Sequence, residues 1–161
     1  MSAAADEVIR ALTKRGLTLA VAESCTGGLI GHRLTNVPGS SACFLGGVVA
    51  YHDRAKAGIL GVDEDVLTRE GAVSEAVAVA MARGVRRLLD VDLAVGVTGV
   101  AGPSGGTPEK PVGTVFMALT DRSGETVARR CRWEGDREEN KARSAQAALE
   151  LVRAYLVEHP Q

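Results

Sequence analysis

The sequence predicts an α/β fold: a single-domain three-layer α/β/α sandwich around a mixed, mostly parallel sheet, with an antiparallel hairpin late in the chain. Three features carry that expectation. Short apolar runs alternate with helical stripes as far as Val97, the pattern of parallel strands joined by helical crossovers. Two strand-like runs, 112–119 and 125–133, then follow each other across a turn short enough for a hairpin. No linker, repeat or low-complexity stretch interrupts the 161 residues, so 1–161 is read as one domain.

Each element has its own reason. Over 3–15, Ala4, Val8, Ala11 and Leu12 fall at helical spacing, and Gly16 stands where a C-terminal cap sits. Residues 17–22 form a short apolar strand, a sharp turn follows, and helical periodicity resumes over 26–34. The run 44–51 reads as a buried strand, with Gly46 and Gly47 marking a bulge or a close backbone approach. Residues 53–60 read as a short helix. Ser74 caps the next helix, Glu75 sits at its positive end, and Val77, Met81, Val85 and Leu88 form one apolar face. A buried strand over 93–97 runs into a long irregular loop rich in Gly and Pro. Asp136 caps the final helix with Glu139 three residues on, and Ala142, Ala145, Leu149, Val152 and Leu156 supply its stripe.

Composition excludes several classes. With 45% hydrophobic and 24% charged residues the chain is neither disordered nor fibrous, and its length buries roughly two-thirds of the unfolded surface without a metal or disulfide staple. A net charge of −1 offers no general attraction to nucleic acid or anionic membrane, and five aromatics without basic interleaving give no stacking platform for single strands. Cys25, Cys43 and Cys131 form neither a C-x-x-C pair nor a His-containing cluster, so no zinc site is expected and a reducing cytoplasm is the simplest setting. No signal-like or membrane-length apolar run is present.

Chemistry is expected in the loops after the strands, where open α/β sheets bind ligands. In Glu23-Ser24-Cys25-Thr26-Gly27-Gly28 the glycines admit a ligand to the backbone, and the helix that follows aims N–H groups at it. Ser24 is then either a nucleophile whose oxyanion faces those donors or simply a helix cap, and Cys25 is a rival nucleophile. Tyr51-His52-Asp53-Arg54-Ala55-Lys56 places a phenol and an amine across a strand-to-helix junction. Lys56 is either an exposed helix lysine or, if buried, a base for a hydroxyl, with Tyr51 relaying or orienting the proton; His52 is a solvated loop residue. The Gly99 to Gly106 loop is a phosphate cradle or a turn-rich connector. It is not a Walker A loop, because Lys110 is misplaced. Arg137 and Lys141, early in the last helix, are either a phosphate clamp or solvated charges.

Taken together, Glu23-Ser24-Cys25-Thr26-Gly27-Gly28, Pro38-Gly39-Ser40-Ser41, Tyr51 with Lys56, Gly71-Ala72-Val73-Ser74-Glu75, Gly99-Val100-Ala101-Gly102-Pro103, Lys110-Pro111-Val112-Gly113-Thr114 and Gly135-Asp136-Arg137 resemble the CinA C-terminal domain family. The family includes stand-alone PncC-type nicotinamide-nucleotide amidases, and the match runs in order over about residues 5–157. The resemblance implies a metal-free and cofactor-free hydrolase that converts nicotinamide mononucleotide to nicotinic acid mononucleotide and ammonia. It implies Ser24 as nucleophile, Lys56 as base and Tyr51 in the hydroxyl network. Thr26, Gly27, Gly28, Ser41, Thr98, Gly99, Gly102, Gly105, Gly106 and Arg137 would bind substrate, Arg137 facing the phosphate, and the helix after Ser24 would stabilise the oxyanion. Its implied partner is a small nucleotide, in a cytoplasmic homo-oligomer. A second reading is a non-catalytic nucleotide-binding or protein-interaction module, from the family's association with competence and DNA damage. The chain departs from the family's pattern at His52, where a small Ser is common, and at Asn140-Lys141, where another Arg is common. Many members carry a larger N-terminal domain resembling molybdopterin-binding folds, for which 161 residues leave no room.

Overall fold

The computed structural model describes residues 2–160. In chain order these form α1 (Ala3–Arg15), β1 (Leu19–Glu23), α2 (Leu29–Thr35), a 3-10 turn (Ser40–Ala42), β2 (Phe44–Val49), α3 (Asp53–Leu60), α4 (Glu64–Glu70), α5 (Glu75–Leu89), β3 (Leu93–Gly99), β4 (Thr114–Asp121), β5 (Thr126–Arg132) and α6 (Arg137–Glu158). The sheet order is β2-β1-β3-β4-β5. β1 pairs in parallel with β2 and β3, whereas β3–β4 and β4–β5 are antiparallel, so four strands point one way and only β4 opposes them. The late hairpin is β4–β5.

The alternation of side chains along the central strands builds two cores. Leu19 and Val21 on β1 and Leu93, Val95 and Val97 on β3 face α1, α2 and α6, meeting Val8, Leu12, Ile30, Leu149 and Val152. The opposite face is lined by small residues, Ala20, Ala22, Ala94 and Gly96, and receives α5. A Cβ on Gly96 would lie 2.4 Å from the carbonyl oxygen of Ala78, so that helix rests directly on the sheet. Val77, Met81 and Val85 of α5 are fully buried, each contributing about 1.5–3 kcal/mol. As expected, Ser74 caps α5 by accepting from Val77 N, and Asp136 caps α6 by accepting from Glu139 N.

Two local expectations are corrected, and two short elements are added. β2 is not a fully buried strand: it is the sheet edge, its residues alternate in exposure, and Leu45 and Val49 are about half exposed. The expected bulge there is real, since the register passes from Leu19↔Phe44 to Ala20↔Gly46 and skips Leu45. The helix after the first turn begins at Leu29 rather than Thr26, because Gly27 and Gly28 take left-handed backbone angles. α4, capped by the Asp63 side chain on Asp65 N, and the 3-10 turn were not expected. No described helix is long and apolar enough to cross a membrane.

Candidate active site

The chain leaves β1 toward β2 and leaves β3 toward β4, so the crevice at the carboxyl ends of β1 and β3 is the topological switch point of the sheet. Ser24 N donates to Val97 O across that crevice at 2.9 Å, and Ala50 N donates to Glu23 O at 2.8 Å. The ends of three neighbouring strands are thus bound to one another. Around them lies a cavity of about 290 Å³ whose lining includes Ser24, Tyr51, Lys56, Thr98, Gly99, Gly102, Gly105 and Arg137.

Ser24 and Lys56 meet at one atom. Ser24 Oγ donates to the Tyr51 carbonyl oxygen at 3.5 Å, a long bond, and Lys56 Nζ donates to the same oxygen at 3.1 Å. Lys56 is only 1% exposed although it lies on the first turns of α3, a helix that packs on α5 and has its Lys56 face turned into the cavity. Burial lowers its pKa, and the Asp53 carboxylate, 3.6 Å from Nζ, pulls it back up. Lys56 is therefore not the exposed helix lysine that its position alone permitted. The thiol of Cys25 is pushed up to about 12 by burial, which keeps it protonated and removes it as a thiolate rival.

Tyr51 acts in this geometry through its main chain. Its ring is largely exposed and its hydroxyl accepts from Arg137 Nη2 at 2.9 Å, so the phenol does not reach Ser24 or Lys56 by hydrogen bond. Arg137 also donates Nη1 to Gly102 O at 2.6 Å and so ties α6 to the glycine loop across the cavity mouth. Gly102 has φ +90°, and a Cβ there would lie 2.4 Å from Val112 Cγ1; the loop needs glycine for both reasons. The N–H groups of Ala101, Gly102, Ser104 and Gly105 donate to no main-chain acceptor among the described residues, leaving a row of donors beside Arg137. Thr98 Oγ1 is turned to Ala72 O at 2.8 Å and holds the segment before α5.

Several expected binding residues lie elsewhere. Thr26 is buried and donates Oγ1 to Glu23 at 2.6 Å, and with Gly27 and Gly28 it lines a separate cavity beside Lys141 and Glu138. Gly106 does not line the Ser24 cavity, and a Cβ there would crowd the Val112 N–H. Ser41 stands on the 3-10 turn before β2, at the opposite end of the sheet from Ser24. The N-terminus of α2 is not free for an oxyanion either. Its Ile30 and Gly31 N–H groups donate to the buried Glu23 carboxylate at 2.9 and 3.0 Å, Leu29 N donates to Thr26 O, and His32 N to Gly28 O. Glu23 occupies the anion position of that helix.

Three contributors escaped the sequence reading. Glu23 was seen only as part of a motif. Asp53 was visible as the i−3 helical neighbour of Lys56. Asn140, three residues after Arg137, is 1% exposed, donates Nδ2 to Ala101 O and accepts Gly135 N at Oδ1, both at 3.0 Å. His52, exposed as expected, caps α3 by accepting Arg54 N at Nδ1, the service a serine would perform there.

An α/β chain with a buried lysine and a serine hydroxyl sharing one carbonyl at a strand-end cavity defines the class. Residues 1–156 match the family model described as CinA C-terminal domain, and the chain belongs to that family. A CinA-like protein from Salinibacter ruber is 57% identical over 146 residues, covering 91% of this chain and 35% of that protein. The chain thus spans about a third of the length of the curated relatives it matches. The crystal structure of competence/damage inducible protein CihA from Agrobacterium tumefaciens superposes with a TM-score of 0.92 at 42% identity, covering 94% of this chain and 92% of that one. A CinA superfamily protein from Klebsiella pneumoniae gives 0.93 at 36% identity, with 96% of each chain covered.

Proposed function

We propose that the chain is a hydrolase of the carboxamide of nicotinamide mononucleotide, releasing ammonia and nicotinic acid mononucleotide, as its family resemblance implies. The observation that carries the reading is the convergence of Ser24 Oγ and Lys56 Nζ on the Tyr51 carbonyl inside one cavity. Burial favours an uncharged amine at Lys56, and an uncharged amine is what a serine hydroxyl needs as its base.

In this mechanism neutral Lys56 takes the Ser24 proton as Oγ bonds to the carboxamide carbon, whose oxygen becomes an oxyanion. Because α2 is occupied by Glu23, the oxyanion is assigned to the N–H groups of Cys25 and Thr26, which make no main-chain hydrogen bond among the described residues. Collapse of the intermediate breaks the C–N bond, and Lys56 returns the proton to the leaving nitrogen, giving ammonia. Water then attacks the acyl-Ser24 ester and delivers a proton to Lys56; the C–Oγ bond breaks, Lys56 returns that proton to Ser24 Oγ, and the product acid leaves and ionises to the carboxylate. Arg137 and the donors of the 101–105 loop suit the phosphate, whose remote binding would position the amide.

The test is ammonia and nicotinic acid mononucleotide formation by wild type, Ser24→Ala and Lys56→Ala. Turnover in wild type that falls at least about a thousandfold in both variants supports the reading. Wild-type activity retained in both sinks the Ser24–Lys56 assignment. A folded wild type that binds the nucleotide, seen as a melting shift, without turning it over favours the binding-module alternative.

A further inference from the structure

Lys56 Nζ carries three donors when charged, and one is spent on the Tyr51 carbonyl. The groups facing it are few. From the turn after β1 comes Cys25, whose thiol burial keeps neutral; from the end of β2 comes Tyr51, whose hydroxyl is held by Arg137. The Glu23 carboxylate close by in the chain already accepts from Thr26, Ile30 and Gly31. Among the described residues the one carboxylate within ion-pair distance of Nζ is Asp53. It lies at the first position of α3, where the helix macrodipole favours negative charge, and its half-exposed side chain lines the same cavity as Ser24.

We propose that Asp53 is a positioning residue for Lys56: its carboxylate fixes the ammonium against the Tyr51 carbonyl and sets the pH above which the Ser24–Lys56 pair works. The separation of 3.6 Å is that of an ion pair rather than a tight hydrogen bond, so the contact holds the charged form and releases the neutral one. A chain with a neutral side chain at this position would free its lysine at lower pH. The kinetic arm of the proposal rests on the amidase reading; the titration arm does not.

The titration arm follows the Lys56 side chain by NMR in protein labelled at the lysine ε-carbon and nitrogen, with Lys56→Arg to assign the signal among Lys14, Lys56, Lys110 and Lys141. In Asp53→Asn the Lys56 midpoint falls by about one pH unit, and Asp53→Glu recovers part of the difference. The acid limb of kcat/KM for nicotinamide mononucleotide falls in parallel. An unmoved Lys56 midpoint in a variant that melts like wild type overturns the proposal. A moved midpoint in a protein with no wild-type turnover at any pH supports it and counts against the amidase reading instead.

Discussion

Asn140→Ala removes the clasp that joins the start of α6 to the wall of the cavity. Two main-chain groups lose their partner: the carbonyl of buried Ala101 and the N–H of half-buried Gly135. The first, a buried carbonyl left without its donor, costs about 1–3 kcal/mol, and the second, which is half-buried, costs about 0.5–1.5 kcal/mol. A relay in which Trp133 Nε1 donates to Ser144 Oγ and Ser144 Oγ donates to the main-chain carbonyl of Asn140 holds the backbone from which the side chain projects, and this relay survives the truncation. The sum is about 1.5–4.5 kcal/mol, or a melting temperature about 3–18 °C lower for a domain of this size. Thermal and urea unfolding followed by circular dichroism measure it. Asn140→Asp loses at least as much, because it keeps the acceptor for Gly135 but turns a carboxylate oxygen toward the Ala101 carbonyl. Amide exchange in the 99–106 loop of Asn140→Ala accelerates more than exchange in β1. A loss under about 1 kcal/mol, or exchange unchanged in that loop, refutes the clasp.

Other perturbations separate stability from chemistry. Glu23→Gln presents an amide N–H₂ to a carboxylate site whose three partners are all donors, and urea unfolding should register a cost of about 1.5–3 kcal/mol. Lys56→Met replaces a buried amine with an apolar chain of similar length; the Tyr51 carbonyl loses the Lys56 donor but keeps the Ser24 hydroxyl, and half-exposed Asp53 turns to solvent. Its stability in urea is expected to equal wild type or exceed it by up to about 2 kcal/mol, while turnover disappears. At the other end of the molecule, protonated His159 satisfies both Tyr155 O and Glu125, and the Tyr155 carbonyl is the main cause of its raised pKa. That contribution is fully present below the unfolded value of about 6.5 and fades as pH rises through the higher folded value. The melting difference between wild type and His159→Asn should be larger at pH 5.5 than at pH 9, and a difference independent of pH would exclude this pair as its source.

What could be read from the sequence was whatever depends on local pattern. α5 was legible because Ser74 caps it and Val77, Met81 and Val85 repeat at helical spacing, and the β4–β5 hairpin because its turn is short. The position of the crevice followed from strand-to-loop logic, which put Ser24 and the 99–106 loop there; Thr98 entered through the resemblance and Arg137 through its charge early in the last helix, and Ser24, Thr98 and Arg137 line one cavity. What could not be read depends on neighbours distant in sequence. β2 is an edge strand only because β3 takes the other side of β1, and nothing in Phe44–Val49 records that choice. α4 has seven residues and one buried leucine, too little for a periodicity. Asn140 looked like a departure in a phosphate clamp; its actual partners, Ala101 and Gly135, meet it only once α6 docks on the loop. Ser41 entered through resemblance alone, and in the single chain it lies at the far end of the sheet.

The turn after β1 also shows why a serine there need not be a helix cap. The capping duty for α2 falls on Glu23, one residue earlier, whose carboxylate takes the Ile30 and Gly31 N–H groups and the Thr26 hydroxyl together. Ser24 is thereby released from the structural role that its residue type and position most readily suggest. Its one side-chain bond among the described residues, to Tyr51 O, is 3.5 Å long, near the limit at which such a bond contributes, whereas Lys56 grips the same oxygen at 3.1 Å. On the amidase reading this asymmetry has a use. The lysine stays fixed as the proton acceptor, and the hydroxyl leaves a weak partner to face it, so little binding is lost when Ser24 turns from its resting contact toward the base and the substrate carbon.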